Sequence, residues 1–341
     1  MPDRPIFIHA WWRSSSTYVW SKLRSDPSLL CFNEPLHERI ARLDPTKALK
    51  PMSPSYSKML RHPHVEKGYF TEYFEVDPQG PRHYKPELAY HRYLLRPGDR
   101  APGLHAYLSG LIAMAKGADR RAVLCFARSQ MRSAWMRDAF DALHIAQIRN
   151  PRSQWNSFHV DSYFLKRLAL AALRLNSRQP AAFQHIAPFR NRTGETGEPA
   201  QFTLSDRDLC RVFLLFWTAS TIQSITASDF VLDVDRLAGE PDYRTQASSM
   251  FADAGCTLDF NDCETPKPDD DDADARAAFG ALVDEAVTAL QSHASALVVQ
   301  GPFPLHERAQ LLSPPSASVL EKYLRGPVPK AASRPQARNL P

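Results

Sequence analysis

The sequence predicts an α/β fold in which a central parallel sheet carries helices on both faces. Short apolar runs at residues 5–10, 122–129 and 144–148 have the length and composition of buried strands, and helical patterns follow them. Strands that alternate with helices favour a parallel sheet with crossover connections. With 341 residues and a hydrophobic content of 43%, the chain is long enough to bury a large core.

The first strand leads into a loop rich in small hydroxyl residues. A helical pattern over residues 17–25 follows, so the loop lies at a helix N-terminus, where backbone N–H groups and the helix dipole attract an anion. The guanidinium of Arg13 suits a pair of phosphate or sulfate oxygens and stays charged at any working pH. An ordinary strand–loop–helix with a serine cap is the alternative. The candidate oxyanion ligands are Arg13, Ser14, Ser15, Ser16 and Thr17.

A second segment of this kind begins where the strand at residues 144–148 ends. Arg149 stands at the end of the strand, and Asn150 and Pro151 suit the cap and first turn of a helix. Ser157 lies about two turns into that helix. Because ligands of open α/β sheets bind at the carboxyl ends of the strands, we expect Arg149 and Ser157 to converge on one phosphate group.

Together these segments, WWRSSSTYVW and IRNPRSQWNSF, resemble the two signature elements of the sulfotransferase family that uses 3′-phosphoadenosine 5′-phosphosulfate (PAPS). The first family motif runs roughly P-[KR]-[ST]-G-T-[TS] after a strand. The second places a serine eight positions after a strand-end arginine, as Ser157 follows Arg149. The departures are Trp12 for proline and Ser15 for glycine, and a β-carbon hinders close backbone approach to a phosphate. The resemblance covers roughly residues 5–260 and implies a P-loop-like central parallel sheet with helical additions.

The resemblance implies that PAPS is the co-substrate and that adenosine 3′,5′-bisphosphate is the product. Arg13 and the hydroxyl residues 14–17 would hold the 5′-phosphosulfate end, while Arg149 and Ser157 would hold the 3′-phosphate. The reaction would be an in-line transfer of the sulfuryl group to a hydroxyl or amine of a carbohydrate or small-molecule acceptor. Positioning and charge stabilisation carry catalysis of this kind, and no metal is required.

Two further features concern the nucleotide. The cytosolic members of the family have a glycine-rich segment near the C-terminus that clamps the 3′-phosphate, and the sequence shows no clear copy of it. The resemblance therefore favours the bacterial-like, sugar- or lipid-modifying branch, with Arg128 or Arg152 as sources of part of that charge. Trp11, Trp12 or Trp155 could stack on adenine, although core packing is the preferred interpretation of each.

The base that takes the proton of the acceptor is expected just after a second strand at residues 29–32. Glu34 and His37 follow this strand on the same edge as Arg13. Several sugar-modifying members of the family place a glutamate there. A carboxylate base needs a raised pKa, whereas a histidine works at its ordinary pKa. An acid complementing a helix start is the structural alternative for Glu34, and a plain surface histidine for His37; His105 is a remote third candidate.

The rest of the chain is predicted in outline. Residues 44–103 show little periodicity and, with the polar loop 191–200, are expected to form the substrate walls. A late strand-and-turn is expected at residues 230–237. Further helices are expected at residues 104–116, 151–177, 204–228 and 275–298. Residues 1–325 are expected to form a single domain that includes a solvated acidic turn at 266–274, followed by a disordered tail at 326–341.

Composition limits the classes of partner. The net charge of +5 suits a dianionic cofactor but is not the dense basic stripe of a nucleic-acid binder. Five cysteines without a C-x-x-C pair predict a reduced, cytoplasmic setting. The sequence start does not match a signal peptide, and residues 209–225 have the pattern of a core helix rather than a membrane span. Acceptor identity and oligomeric state stay open.

Two other classes of function also stay open. A P-loop kinase using ATP and magnesium would need a Walker-type lysine, which the loop lacks. It would also need an acidic magnesium ligand, for which Asp233 or Asp235 stands at the end of a later strand. A non-enzymatic protein that binds a nucleotide or a sulfated ligand would have the anion site without turnover.

Overall fold

A computed structural model describes residues 4–60, 62–63, 65–176, 205–263 and 277–285. One sheet contains five strands, β1 (Ile6–His9), β2 (Leu29–Asn33), β3 (Arg121–Phe126), β4 (Leu143–Ile148) and β5 (Phe230–Asp233). All neighbouring strands run parallel, in the order β2-β3-β1-β4-β5. The predicted α/β class with a central parallel sheet is confirmed.

The order of the strands places β1 at the centre of the sheet. It pairs with β3 on one side and with β4 on the other, so that Ile8 lies opposite Cys125 and Ile145. The connection after β1 leads to one side of the sheet, and the connection after β4 leads to the other. Open α/β sheets bind ligands where neighbouring strands diverge in this way. The loops after β1 and β4 therefore border one crevice.

Helices cover both faces of the sheet. In chain order they are α1 (Ser16–Arg24), α2 (Pro45–Ala48), α3 (Pro54–Met59), α4 (Glu72–Glu75), α5 (Pro102–Gly117), α6 (Ser133–Ala139), α7 (Pro151–Phe158), α8 (Ser162–Asn176), α9 (Asp206–Thr226), α10 (Val234–Gly239) and α11 (Pro241–Asp253). Side chains alternate along a strand, so Ile6 and Ile8 pack with α1 and α11 while Phe7 packs with α5 on the opposite face. Burial on both faces is typical of parallel sheets.

Two of the long elements differ from the sequence prediction. The helix predicted at 151–177 is divided into α7 and α8, because Asp161 accepts a hydrogen bond from the amide of Tyr163 (2.9 Å) and starts a new helix. Of the strand and turn predicted at 230–237, the strand is β5, and the helix α10 stands in place of the turn because the carboxylate of Asp233 caps it. The helix predicted at 204–228 is α9.

The segment 44–103 contains more regular structure than its lack of periodicity predicted. It holds α2, α3 and α4, and a 3-10 helix at Pro86–Ala89. These helices have only four to six residues each, which is too short to produce a repeating apolar pattern. Asp44 caps α2 by accepting from the amide of Lys47 at 2.9 Å.

Several predicted segments lie outside the described residues. They are the loop 191–200, the acidic turn 266–274 and the tail 326–341. Of the helix predicted at 275–298, residues 277–285 are described and are helical. Leu282 and Val283 of this helix are buried against Phe213 and its neighbours in α9.

Within the described ranges, one helix is long and apolar enough to cross a membrane by length and composition. This helix is α9, and 67% of its most apolar window is buried inside the protein. The core helix of a globular protein passes the same test, and α9 packs against α6, α7 and α8. None of the five cysteines forms a disulfide, and all but Cys263 are buried.

Candidate functional site

The loop between β1 and α1 has an unusual backbone conformation. Arg13 and Ser15 have φ angles of 63° and 62°, in the left-handed region that costs about 1–2 kcal/mol for a residue with a β-carbon. Ser15 caps α1 through its backbone, since its carbonyl accepts from the amides of Tyr18 (3.1 Å) and Val19 (3.4 Å). Serine thus adopts a glycine-like conformation at the position where the family motif has glycine.

The start of α1 leaves backbone N–H groups without a protein acceptor. The amides of Ser15, Ser16 and Thr17 donate to no other residue in the part of the chain that the structure describes. The first turn of α1 contains no acidic side chain. Unsatisfied amides and the positive end of the helix dipole together favour an anion at this position.

The hydroxyl groups of the loop divide into two sets. Ser14 is buried, and its Oγ donates to the carbonyl of Trp11 at 2.6 Å, so this hydroxyl closes the turn. The expectation that Ser14 binds the ligand through its hydroxyl is corrected accordingly. Ser15 is exposed, Ser16 is half-buried and Thr17 lines an adjacent cavity.

Protein groups surround the guanidinium of Arg13. Its Nε donates to the Oγ (2.8 Å) and the carbonyl (3.1 Å) of Ser157, and its Nη2 donates to the carbonyl of Leu60 (3.0 Å). The ring of Phe164 lies 5.0 Å from the guanidinium carbon. Arg13 and Ser157, which the sequence assigned to opposite ends of the nucleotide, are therefore direct neighbours.

The second motif adjoins the first. Arg149 Nη1 donates to the carbonyl of Arg13 at 2.8 Å, across 136 residues of sequence. Its Nε lies 4.0 Å from the carboxylate of Asp235. Asn150 caps α7 by accepting from two backbone amides, and Pro151 occupies the first turn, as predicted. The structure thus brings Arg13, Arg149 and Ser157 together at the crevice between β1 and β4.

Glu34 and His37 lie at the end of β2, as the sequence predicted. Burial raises the pKa of the Glu34 carboxyl above its usual value. Burial lowers the pKa of His37 well below its usual value, so its imidazole is neutral near pH 7. The amide of Arg39 donates to Nδ1 of His37 at 3.1 Å, and we therefore assign the ring proton to Nε2, 3.9 Å from Oε2 of Glu34. This separation is longer than a hydrogen bond, so Glu34 and His37 are neighbours without a direct hydrogen bond between their side chains.

One cavity connects the base candidate with the loop. It has a volume of about 570 Å³, and Thr17, Glu34 and His37 line it. Arg149 and Ser157 are not among its lining residues, since they lie on the β4 side of the loop. The carboxyl end of the sheet therefore carries the Arg13–Arg149–Ser157 cluster beside β4 and this cavity beside β2 and β3.

Arg128 has a role that the sequence did not indicate. Its fully buried side chain pairs with Glu38 and lies 3.8 Å from Oε2 of Glu34. Glu38 also accepts from the hydroxyl of Tyr163 (2.9 Å) and pairs with Arg167 (3.0 Å). Burial alone would raise the pKa of Glu38, but the neighbouring cations outweigh it and lower the pKa to about 2. Arg128 thus lies with the base candidate and not with the second motif, which corrects its assignment to the 3′-phosphate.

His62 is a second residue that the sequence analysis missed. Its Nε2 lies 3.5 Å from Nη1 of Arg13, and its Nδ1 lies 3.1 Å from the hydroxyl of Tyr69. Burial, followed by the charge of Arg13, lowers the pKa of His62 to about 4. The imidazole lines the cavity in its neutral form. The segment around it has no local pattern that could have indicated this position.

The three tryptophans are buried in one core cluster, as the preferred interpretation predicted. Trp11 stacks on Phe216 (4.9 Å between centroids), and Trp155 packs against Phe213. Trp12 also lines the cavity, below the guanidinium of Arg128. His105 lies on α5 and does not line the cavity.

The carboxylates named for a magnesium site serve the backbone instead. Asp233 Oδ1 accepts from the amides of Asp235 and Arg236 (3.1 and 3.2 Å), and Asp235 accepts from the amide of Asn150. Among the described residues, no group of three or more His, Cys, Asp or Glu side chains is arranged to hold a metal ion.

Comparison with known proteins gave no match, since no family model, no curated protein and no solved structure matches this chain.

Proposed function

We propose that this protein is a sulfotransferase that moves the sulfuryl group from PAPS to a hydroxyl or amine of an acceptor. The observation that carries the proposal is the meeting of two oxyanion motifs at one crevice. Arg149 donates to the carbonyl of Arg13, and Arg13 donates to the hydroxyl of Ser157. A nucleotide with phosphate groups at two positions matches two such motifs better than a ligand with one anionic group does.

The chain's own groups fit the two ends of this nucleotide. The amides of Ser15, Ser16 and Thr17 have no acceptor among the described residues and suit the 5′-phosphosulfate, with Arg13 beside them. Arg149 and Ser157 suit the 3′-phosphate. Binding would exchange a carbonyl acceptor of Arg13 for an oxyanion, which strengthens the hydrogen bond because both partners are then charged.

Glu34 is the proposed base. The acceptor oxygen attacks sulfur, the bond between sulfur and the bridging oxygen breaks, and that oxygen leaves with its electron pair on adenosine 3′,5′-bisphosphate. Glu34 takes the proton of the attacking hydroxyl, and burial raises the pKa of its carboxyl, which is the direction that suits a base. Arg13 and the amides of α1 stabilise the charge that grows on the leaving phosphate.

The kinase alternative receives less support. A nucleotide kinase needs a carboxylate that can hold magnesium beside the phosphate loop. The segment that follows β3 carries the cation Arg128 instead of an acid. Asp233 and Asp235 accept hydrogen bonds from backbone amides, so their carboxylates are already engaged by the protein.

A thermal-shift experiment separates the two functions. We expect adenosine 3′,5′-bisphosphate to raise the Tm, because at 100 times its Kd a ligand adds about 2.7 kcal/mol to the free energy of unfolding. ATP with magnesium should raise the Tm only weakly. Arg13→Ala should reduce the shift, whereas Arg120→Ala should not, because residue 120 precedes β3 at the opposite edge of the sheet. Stabilisation by ATP with magnesium alone would favour the kinase.

A further inference from the structure

The cavity beside β2 and β3 is lined by both polar and apolar side chains, and charged side chains surround its mouth. Asn33, Glu34 and Thr17 line it near the ends of β2 and the loop. The side chain of Asn33 is buried, and it makes no hydrogen bond within the described ranges. Apolar groups, including Met52 and Phe70, form part of the wall. A hydroxyl compound of moderate size fits a space of about 570 Å³ with these properties.

The mouth of this cavity carries an excess of positive charge. Four cationic side chains from a 12-residue stretch line it, Arg39, Arg42, Lys47 and Lys50. All four are exposed, and the only acid within the stretch is Asp44, which pairs with Lys47 at 3.0 Å. The side chains of Arg39, Arg42 and Lys50 have no hydrogen bond or ion pair with any residue that the structure describes.

These cations are not placed to serve the 3′-phosphate of the nucleotide. Arg149 and Ser157, which the proposed function assigns to the 3′-phosphate, lie outside the cavity. The acids that line the cavity are Glu34, the proposed base, and Asp161, which caps α8. Glu34 lies beside the buried Arg128, with the charge of Arg39 also acting on it, and Asp161 accepts a backbone amide, so neither acid pairs with Arg42 or Lys50. The charge of the mouth is therefore available to a second ligand.

We propose that the acceptor is an anion, a hydroxyl compound that also carries a carboxylate, phosphate or sulfate group. This inference rests on the proposed function. The hydroxyl approaches Glu34 and Thr17, and the anionic group lies at the mouth near Arg42 and Lys50. A cluster of like charge at a cleft raises the local concentration of an oppositely charged substrate and its association rate.

Matched acceptor pairs test the inference. p-Nitrophenyl β-D-glucuronide and p-nitrophenyl β-D-glucoside differ at one carboxylate, and 4-hydroxyphenylacetate and its amide provide a phenolic pair. With adenosine 3′,5′-bisphosphate bound, we expect the anionic member of at least one pair to bind about tenfold more tightly by calorimetry. The preference should fall between about 0.05 M and about 0.5 M salt, because exposed charges are screened.

Charge-reversal variants test whether the cations at the mouth cause the preference for the anionic acceptor. Arg42→Glu combined with Lys50→Glu should abolish it, whereas Lys58→Glu on α3, an exposed lysine outside the cavity lining, should leave it intact. Bisphosphate binding should be unchanged in all these variants. Three results would overturn the inference: equal binding of the charged and neutral members of both pairs, failure of both anions to bind, or a preference that survives the double reversal. Each of these leaves the proposed function supported as long as the protein binds the bisphosphate. Loss of bisphosphate binding by the unaltered protein would count against the proposed function instead.

Discussion

The arginine side chains on the two sides of β1 have different kinds of partner. On the β4 side, Arg13 and Arg149 donate to carbonyl and hydroxyl oxygens of the chain itself, and a left-handed loop fixes their positions. On the β3 side, one buried arginine, Arg128, faces the carboxylates of Glu34 and Glu38. In the proposed function the first side would hold the nucleotide, while the charges on the second side act on the protonation of a carboxylate. Variants on the two sides should therefore fail in different measurements.

The largest expected effect is on the β3 side. Glu34→Gln removes the proposed base, and the rate of sulfuryl transfer should fall by about 100-fold or more. The Kd for adenosine 3′,5′-bisphosphate should stay the same, because Glu34 does not border the β4 crevice. The rate is measured as bisphosphate release from PAPS in the presence of the acceptor that binds most tightly among the two pairs named above. Glu87→Gln, at an exposed site, is the control; an unchanged rate in Glu34→Gln would remove the residue from the mechanism.

A second prediction concerns a buried histidine pair that joins β1 to β4. His9 Nε2 lies 2.9 Å from Nδ1 of His144, and both rings are buried. Burial lowers the pKa of His9 well below its usual value and that of His144 to about 4. Because an unfolded histidine titrates near 6.5, the unfolded state binds more protons between pH 6.5 and about 4. The stabilisation is complete above this window and is lost as the pH falls through it.

His144 alone should contribute about 3 kcal/mol to this loss. Denaturant unfolding at several pH values measures it, and both sides of the site should lose structure together, since the pair joins β1 to β4. His144→Gln should flatten the pH dependence, and His105→Gln, at an exposed position on α5, should not. An equal slope in both variants would exclude the buried pair as the cause.

The smallest effect is expected in the phosphate loop. Ser15→Gly relieves a left-handed conformation that costs about 1–2 kcal/mol, but it adds about 0.5–1 kcal/mol of unfolded-chain entropy. The net result should be a gain in unfolding free energy of between about 0 and about 1.5 kcal/mol. The matched variant Ser16→Gly should instead destabilise, because Ser16 is helical. A destabilisation of the same size at both positions would contradict the loop geometry.

The sequence was sufficient for the sheet, and for the strand ends and helix starts at the two motifs, because both depend on local patterns. Arg149, Asn150 and Pro151 show a strand end and a helix start within three residues. The environment of the base could not be predicted in this way. Arg128 and Glu38 are 90 residues apart, and Tyr163 reaches Glu38 across 125 residues. Such contacts depend on the order of the strands in the sheet, which no local pattern determines.

The most direct test of the central claim is a calorimetric titration of the unaltered protein and Arg149→Ala with adenosine 3′,5′-bisphosphate and adenosine 5′-monophosphate. The account predicts that the unaltered protein prefers the bisphosphate and that Arg149→Ala weakens bisphosphate binding by about tenfold or more, with little change for the monophosphate. Arg120→Ala should bind both ligands normally. Equal losses for the two ligands, or no preference in the unaltered protein, would contradict the assignment of Arg149 to a 3′-phosphate.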